Sequence, residues 1–187
     1  MSNTVSVTEL MVPVSEYASV REDETLERAL HALHDAQRKL PPGRQPHRAI
    51  LVRNGQGSIV GKIGHFVILD ALLPWHKEEF QGPKLKRAWV SEELARQTMD
   101  NLALLQEHLP DICRLARTTR VGALTLRETI TIQHDVSLVA AIRLLVEHQT
   151  LSLLVQKDVH IIGVLRLSDV FDHLSRRILE CEGKTGT

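Results

Sequence analysis

Histidine and cysteine are the residue types in this sequence most able to ligate metals or to move protons, and there are ten histidines and two cysteines. His31 and His34 are three residues apart in a segment with helical periodicity, so both imidazoles could reach one metal ion, but no third ligand stands beside them. We therefore favour a partly exposed structural role for this pair. The other histidines are scattered over separate segments, and the sequence contains no HExxH, G-x-S-x-G, P-loop or GxGxxG motif. An enzyme is not expected, and no metal or required cofactor is predicted.

Charge and cysteine usage narrow the choice of partners and compartment. Lysine plus arginine and aspartate plus glutamate each total 23, so the net charge is zero and neither nucleic acid nor a membrane is an expected partner. The basic run Lys84, Lys86 and Arg87 is better explained as a solvated linker, because aromatic residues make up only 3% of the chain. Cys113 and Cys181 belong to no CxxC motif, and no signal peptide or membrane span is evident. We expect reduced thiols, a cytoplasmic protein and, from the zero net charge, self-association.

Two parts of the chain share one sequence pattern, and the elements that they form would position any functional residues. Val20–Leu30 aligns with Ile132–Ile142, and two later blocks align in the same order. Apolar residues recur at helical spacing in both copies: Leu26, Ala29, Leu30 and Leu33 in the first, Leu138, Ala141, Ile142 and Leu145 in the second. Each copy therefore predicts strand, helix, strand, strand, helix, and two copies can cover each other's apolar faces.

The predicted elements follow from caps, turns and apolar runs. The first repeat is expected to contain an extended segment (Val14 to Val20), a helix capped by Asp23 or Thr25, a strand over Ala49–Val52, a turn at Asn54-Gly55, a strand from Ser58 to Ile63 and a helix from about Phe66 to Leu73. The second is expected to contain a strand (Thr129 to Ile132), a helix from Ser137 to His148 capped by Asp135 or Ser137, strands from Ser152 to Val155 and from His160 to Leu165 around a turn at Gln156–Asp158, and a helix from Leu167 to about Leu179.

The segment between the repeats follows neither of them. Apolar residues recur every three to four positions from Trp89 to Arg117, which predicts an amphipathic helical insertion with a kink or restart at Pro110. We expect it to pack on the body, on a second subunit or on a partner, and Trp75 and Trp89 to act as packing anchors, more plausibly inside one chain. The predicted divisions are residues 1–74 for the first repeat, 75–119 for the linker and insertion, and 120–187 for the second repeat and tail.

The repeats resemble a tandem pair of cystathionine-β-synthase (CBS) domains, a Bateman module. The resemblance rests on Val7-Thr8-Glu9-Leu10-Met11-Val12-Pro13 at the entry, on Asp-x-Thr/Ser-Leu at the start of each first helix, on a strand ending in Leu-Val, and on Ile-x-Gly before each last helix. It covers roughly residues 5–73 and 121–179 and leaves out the insertion. It implies an α/β fold in which the two repeats pack by their sheets with pseudo-twofold symmetry, leaving two clefts that in many relatives hold AMP, ATP or S-adenosylmethionine. Such modules are typically regulatory, and they often dimerise.

The resemblance also implies the site residues. The family signature follows the last strand and consists of a glycine, two apolar residues, a hydroxyl residue, two variable residues and an aspartate. In the second repeat Gly163 and Asp169 match, and Arg166 replaces the hydroxyl residue. In the first repeat Gly64 stands at the hydroxyl position and Val67 at the aspartate position. A guanidinium can pair with a phosphate, and a carboxylate can accept hydrogen bonds from ribose hydroxyls. Alternatively, Arg166 fills the cleft or reaches solvent, and Asp169 is only a helix cap.

The resemblance adds Thr129 and Ile130, from the strand that in relatives runs beside the adenine, with a plain core strand as the alternative. The predicted function is therefore a non-catalytic, ligand-sensing CBS pair that binds an adenosine compound in at most one cleft. It is expected to form a homodimer and to signal to an effector protein that the sequence does not name. The alternative is a ligand-free dimerisation or interaction scaffold.

Overall fold

The structure, a computed structural model, describes residues 5–73, 108–124 and 129–182 of the chain. Trp75, Trp89 and the basic run from Lys84 to Arg87 lie outside the described residues, as does most of the predicted insertion. In chain order the elements are α1 (Val7–Leu10), β1 (Val12–Pro13), a 3₁₀ turn (Val14–Glu16), β2 (Ser19–Arg21), α2 (Leu26–Arg38), β3 (Ala49–Arg53), β4 (Ile59–Gly64), α3 (His65–Leu72), α4 (Leu109–Thr118), α5 (Val121–Leu124), β5 (Thr131–Gln133), α6 (Leu138–Glu147), β6 (Ser152–Lys157), β7 (His160–Arg166) and α7 (Leu167–Glu182).

The two repeats have the same strand connectivity. β2 pairs parallel with β3, and β3 pairs antiparallel with β4; β5, β6 and β7 pair in the same directions. The register shifts by one residue at matching points, between Val52 and Arg53 in the first sheet and between Val155 and Gln156 in the second. A shared irregularity of this kind is a feature of the fold. The predicted α/β fold and its order of elements are confirmed.

The segment leading into each repeat packs on the other repeat. β1 adds to the second sheet, with Val12 opposite Val164, and Val7 of α1 is fully buried in the core of the second repeat. In return, Val121 of α5 is fully buried in the core of the first. The approach of β1 is close: a Cβ on Gly163 would lie 2.5 Å from the Met11 sulfur. The Val12 carbonyl would be 3.0 Å away, so a side chain here would press on the Met11 side chain and on the backbone of the crossing strand.

Three buried clusters hold the chain together. The helices α2 and α6 each bury one apolar stripe against their own sheet. The third cluster lies between the sheets and takes residues from both repeats: Val12, Tyr17, Ala49, Leu51, Leu154 and Val164. At about 1.5–3 kcal/mol for each fully buried large side chain, this shared cluster ties the repeats into one unit. The predicted contact between the two sheets is confirmed.

Some predicted boundaries move for local reasons. The segment Val14 to Val20 is not extended throughout, because a 3₁₀ turn precedes β2, and the strand predicted from Thr129 starts two residues later at Thr131. Thr25 caps α2 by accepting the Arg28 N–H at 3.3 Å, and Ser137 caps α6 in the same way. The turn after β3 places Gly57, not Gly55, at positive φ (85°).

The described end of the insertion packs on the first repeat. α4 begins at Leu109 with Pro110 in its first turn, where the missing N–H is harmless. Arg117 Nε donates to Glu27 Oε1 at 3.1 Å, and the Leu26 N–H donates to the Thr119 carbonyl at 2.9 Å. Of the three expected locations, the structure shows packing on the body of the same chain for this part.

Candidate functional site

The first of two clefts between the repeats, here called the Arg166 cleft, encloses a cavity of about 370 Å³. It lies where β7 meets α7, opposite the segment before β2 and the loop before β3. The first repeat contributes Tyr17, Gln45 and Arg48, and the second contributes Leu151, Ser152, Arg166, Leu167, Ser168, Phe171 and Asp172. A cavity of this volume lies within the range that encloses small organic ligands.

Arg166 is held rigidly in the wall of this cleft. Its side chain is only 5% exposed and forms a bidentate ion pair with Asp169, through Nε to Oδ2 and through Nη2 to Oδ1 at 2.7 Å. Its Nη1 donates to the Gln45 carbonyl at 2.7 Å, across the interface between the repeats. The guanidinium therefore joins α7 to the loop that precedes β3, and its orientation is fixed.

Asp169 does not itself line the cavity. Both of its carboxylate oxygens accept hydrogen bonds from Arg166, which does line the cavity. The carboxylate on the cavity wall belongs to Asp172, one helical turn further along α7, where it accepts a hydrogen bond from Gln45 Nε2 at 3.2 Å. The sequence could have indicated Asp172, because a residue three positions after Asp169 lies on the same face of a helix.

An aromatic pair lies at the first-repeat side of the cleft. The rings of Tyr17 and His47 are 4.3 Å apart between centroids. Burial raises the pKa of Tyr17 to about 12, although the charge of Arg166 partly offsets this effect. His47 is 1% exposed, and neither ring nitrogen has a hydrogen-bond partner among the described residues. Burial is the main cause that lowers the pKa of His47, and the charge of Arg166 lowers it further. The Glu16 backbone raises this pKa by less, so the net shift is downward.

The second cleft, here called the Lys62 cleft, has a cavity of about 310 Å³. It is formed by β4 and the start of α3 on one side and by the segments before β5 and β6 on the other. Thr129 and Ile130 line this cleft together with Lys62, Gly64 and Val67. The structure thus brings Arg166 and Asp169 together but places Thr129 and Ile130 in the other cleft, because the segment before each first strand faces the last strand of the opposite repeat.

Arg48 is the cation that the sequence analysis missed. It lines both cavities, and neither a hydrogen bond nor an ion pair engages its guanidinium among the described residues. Nothing in its sequence context distinguishes it, because its position between the clefts depends on how the two sheets face each other. Tyr17 and Gln45 were missed for the same reason.

The described ranges, residues 5–73, 108–124 and 129–182, also bear on metal binding and membrane insertion. No group of three or more His, Cys, Asp or Glu side chains in those ranges is arranged to hold a metal ion, and His31 and His34 are both exposed on α2. None of the helices in the same ranges is long and apolar enough to cross a membrane.

The comparisons with known proteins agree with this geometry. The CBS-domain family model matches residues 121–176. No curated protein matches the chain by sequence. Among solved structures, the CBS domain of a CBS-domain-containing membrane protein from Sphaerobacter thermophilus is 19% identical, with a TM-score of 0.60 over 90% of this chain and 87% of that one.

Two further similar structures contain nucleotides. CBSX2 in complex with AMP is 19% identical, with a TM-score of 0.58 over 91% of this chain and 97% of that one. The cytosolic domain of the Mg²⁺ channel MgtE in complex with ATP is 18% identical, with a TM-score of 0.55 over 90% of this chain and 48% of that one. Residues 121–176 therefore form a CBS domain, and the fold of the chain is that of the CBS-domain structures it resembles.

Proposed function

We propose that this protein is a non-catalytic regulatory module that senses an adenosine nucleotide bound in the Arg166 cleft. The main support is a cavity of about 370 Å³ that combines apolar walls with a guanidinium held in place by three hydrogen bonds. The adenosine class is chosen because CBSX2 and MgtE, which share the fold, were solved with AMP and ATP. S-adenosylmethionine is the third candidate, from the family resemblance.

The phosphate end of such a ligand would meet the cations of the cleft. A guanidinium has five N–H groups, and Arg166 uses one on each nitrogen, so one N–H on Nη1 and one on Nη2 are left. Arg48 adds a second guanidinium from the first-repeat side of the same cavity. Two arginines provide charge-assisted hydrogen bonds that suit a phosphate, and Asp169 acts by positioning Arg166.

The nucleoside end would meet the remaining walls. Tyr17 and Phe171 offer aromatic surface to a base, and Leu151 and Leu167 add apolar surface. The carboxylate available to ribose hydroxyls is that of Asp172, not that of Asp169. We therefore propose Asp172 for the role that the resemblance assigned to Asp169.

Calorimetric titration with AMP, ATP and S-adenosylmethionine tests this proposal. We expect at least one of them to bind, and Asp172→Asn to weaken its binding by about tenfold or more, because a hydrogen bond to a charged group is lost. Asp158→Asn, in the exposed turn between β6 and β7, is the matched control and should bind as the wild type does. The proposal is wrong if no adenosine compound binds at millimolar concentration, or if Asp172→Asn binds with unchanged affinity.

A second candidate is a ligand-free scaffold that dimerises. The Arg166–Asp169 pair favours it, since Asp169 is already engaged, and so do large exposed apolar side chains on the twin helices α3 and α7. Their exposed fractions are 73% for Phe66, 53% for Leu69, 66% for Phe171, 61% for Ile178 and 66% for Leu179. Such faces are typical of interaction sites, and we propose a second copy of the chain as the occupant. Light scattering with and without nucleotide separates the two functions: a dimer indifferent to every adenosine compound supports the scaffold.

A further inference from the structure

The Lys62 cleft lacks the features of a nucleoside site but has an unusual charge pattern. Four side chains that can carry positive charge line its cavity of about 310 Å³, namely Arg48, Lys62, His65 and His148. The described lining contains no aspartate or glutamate, and hydroxyl and amide groups of Thr129, Gln149, Thr150 and Ser152 complete the wall. A cavity lined by cations and neutral hydrogen-bonding groups has a positive electrostatic potential, which attracts an anion.

Lys62 stands out in this set. It lies on β4 opposite Leu51, beside the buried cluster between the sheets, and its ammonium group forms no hydrogen bond or ion pair with any described residue. The equivalent position in the second repeat is Val164, which is fully buried and opposite Leu154 in the same register. The fold therefore accommodates a buried valine at this position, and a lysine here loses hydration without gaining a partner.

Desolvation shifts the pKa of Lys62. Burial lowers this pKa, and no neighbouring carboxylate opposes that effect. The charged form of the lysine therefore costs folding stability below the lowered pKa, and this cost is relieved as the pH rises from the lowered pKa towards the ordinary value. A residue that weakens the fold while facing a cavity is a candidate for a functional role.

The backbone adds to the attraction for anions. α3 begins at the cavity, since His65, Phe66 and Val67 all line it, and Gly64 at the N-cap provides no side-chain oxygen for the first-turn N–H groups. The positive end of the helix dipole is thus next to Lys62 and adds to its field. Gly64 and Val67 also explain why a ribose has no carboxylate partner here.

We propose that the Lys62 cleft binds an oligophosphate chain without recognising a ribose or a base. The charges of Arg48 and Lys62 with the two histidines suit a multiply charged anion better than a single phosphate, and the cavity is larger than one phosphate requires. This site shares Arg48 with the nucleotide site proposed for the Arg166 cleft, but Lys62 lines only this cavity and Asp172 only the other. Variants of those two residues therefore test the two proposals separately.

Titration with tripolyphosphate, and separately with adenosine and ATP, is the test. We expect tripolyphosphate to bind and adenosine not to compete for this site. Lys62→Met should weaken tripolyphosphate binding by about tenfold or more while raising the melting temperature of the ligand-free protein. Lys62→Arg keeps the charge and should retain binding, and Lys157→Met, an exposed lysine on β6, is the matched control. If ATP binds through its phosphates in this cleft, its affinity falls with Lys62→Met and not with Asp172→Asn.

Any of three results would overturn the proposal. One is that tripolyphosphate fails to bind the wild type at millimolar concentration and low salt. Another is that Lys62→Met and Lys157→Met bind it equally well, since binding would then be general attraction to surface charge. The third is that Lys62→Met lowers the melting temperature of the ligand-free protein, since the lysine would then stabilise the fold.

Discussion

The Arg166–Asp169 pair should contribute far more to stability than the surface ion pairs of this protein. Asp169→Asn keeps the shape of the side chain but removes its charge. The Arg166 guanidinium, 5% exposed, would then be buried without a counter-charge. The pair also holds Arg166 against the Gln45 carbonyl, so this substitution tests the positioning role that the nucleotide proposal gives to Asp169.

The expected magnitude follows from the burial of the two partners. Removing one partner of a buried ion pair destabilises proteins by about 3–5 kcal/mol. Asp169 is 19% exposed, so water can reach that end of the pair, and an asparagine oxygen retains one hydrogen bond. We therefore expect a loss of about 3 kcal/mol in the free energy of unfolding. For a chain of this size that corresponds to a fall of roughly 6–12 °C in melting temperature.

The chain offers a matched control for this measurement. Asp111 and Arg114 are also three residues apart on a helix, and their closest N–O distance is 2.9 Å, but their side chains are 54% and 66% exposed. Asp111→Asn should therefore change stability by less than about 0.5 kcal/mol. Urea unfolding followed by far-ultraviolet circular dichroism at pH 7 measures both variants under the same conditions.

A double-mutant cycle separates the pair from the general effects of each substitution. Arg166→Met, Asp169→Asn and the double variant should give a coupling energy of about 2 kcal/mol, because the second substitution removes the charge that the first left unpaired. A coupling energy below about 0.5 kcal/mol, the value typical of an exposed pair, would refute the reasoning. Arg166 would then not be fixed, and the proposed phosphate contact would lose its structural basis.

Three further outcomes follow from burial and exposure. His47→Phe should keep the melting temperature at pH 8, because the ring nitrogens make no hydrogen bond that the substitution could remove. The wild type should lose stability as the pH falls from about 6.5 towards the lowered pKa of His47, and the variant should not. Thermal unfolding across pH measures both effects. Gly163→Ala should destabilise by about 1–3 kcal/mol in urea unfolding, since its Cβ would lie 2.5 Å from the Met11 sulfur; unchanged stability would show that β1 shifts freely. Ile178→Asp should convert the proposed dimer to a monomer in light scattering, whereas Val159→Asp, on an 86% exposed turn residue, should not.

The fold could be predicted because its signals are local and occur twice. Helical spacing, the caps at Thr25 and Ser137, and matching blocks of apolar residues each depend on neighbours within a few positions. Two copies then constrain each other, since an apolar sheet face needs a cover. The reciprocal packing of α1 and α5 was not predictable in this way, because a single buried residue such as Val7 or Val121 does not indicate which repeat it enters.

The site was predicted only where its residues belong to one segment. Arg166 and Asp169 lie on one turn and do come together, although as each other's partners. Thr129 and Ile130 were grouped with them from the family resemblance, and the pseudo-twofold arrangement places them in the opposite cleft. Arg48 and Tyr17 could not have been found, because a residue reaches a cleft between repeats only through the docking of the two sheets.

The two clefts differ because their cationic residues occupy different positions of two equivalent strands, β7 and β4. Arg166 is at the end of β7, where the first repeat has Gly64, and Lys62 is two residues earlier along β4, where the second repeat has Val164. Arg166 gained a carboxylate one turn away and is neutralised within its own segment, whereas Lys62 gained none. The first arrangement orients a guanidinium through its carboxylate partner, while the second leaves a desolvated lysine without a partner among the described residues. The nucleotide proposed for one cleft and the oligophosphate proposed for the other both depend on this difference.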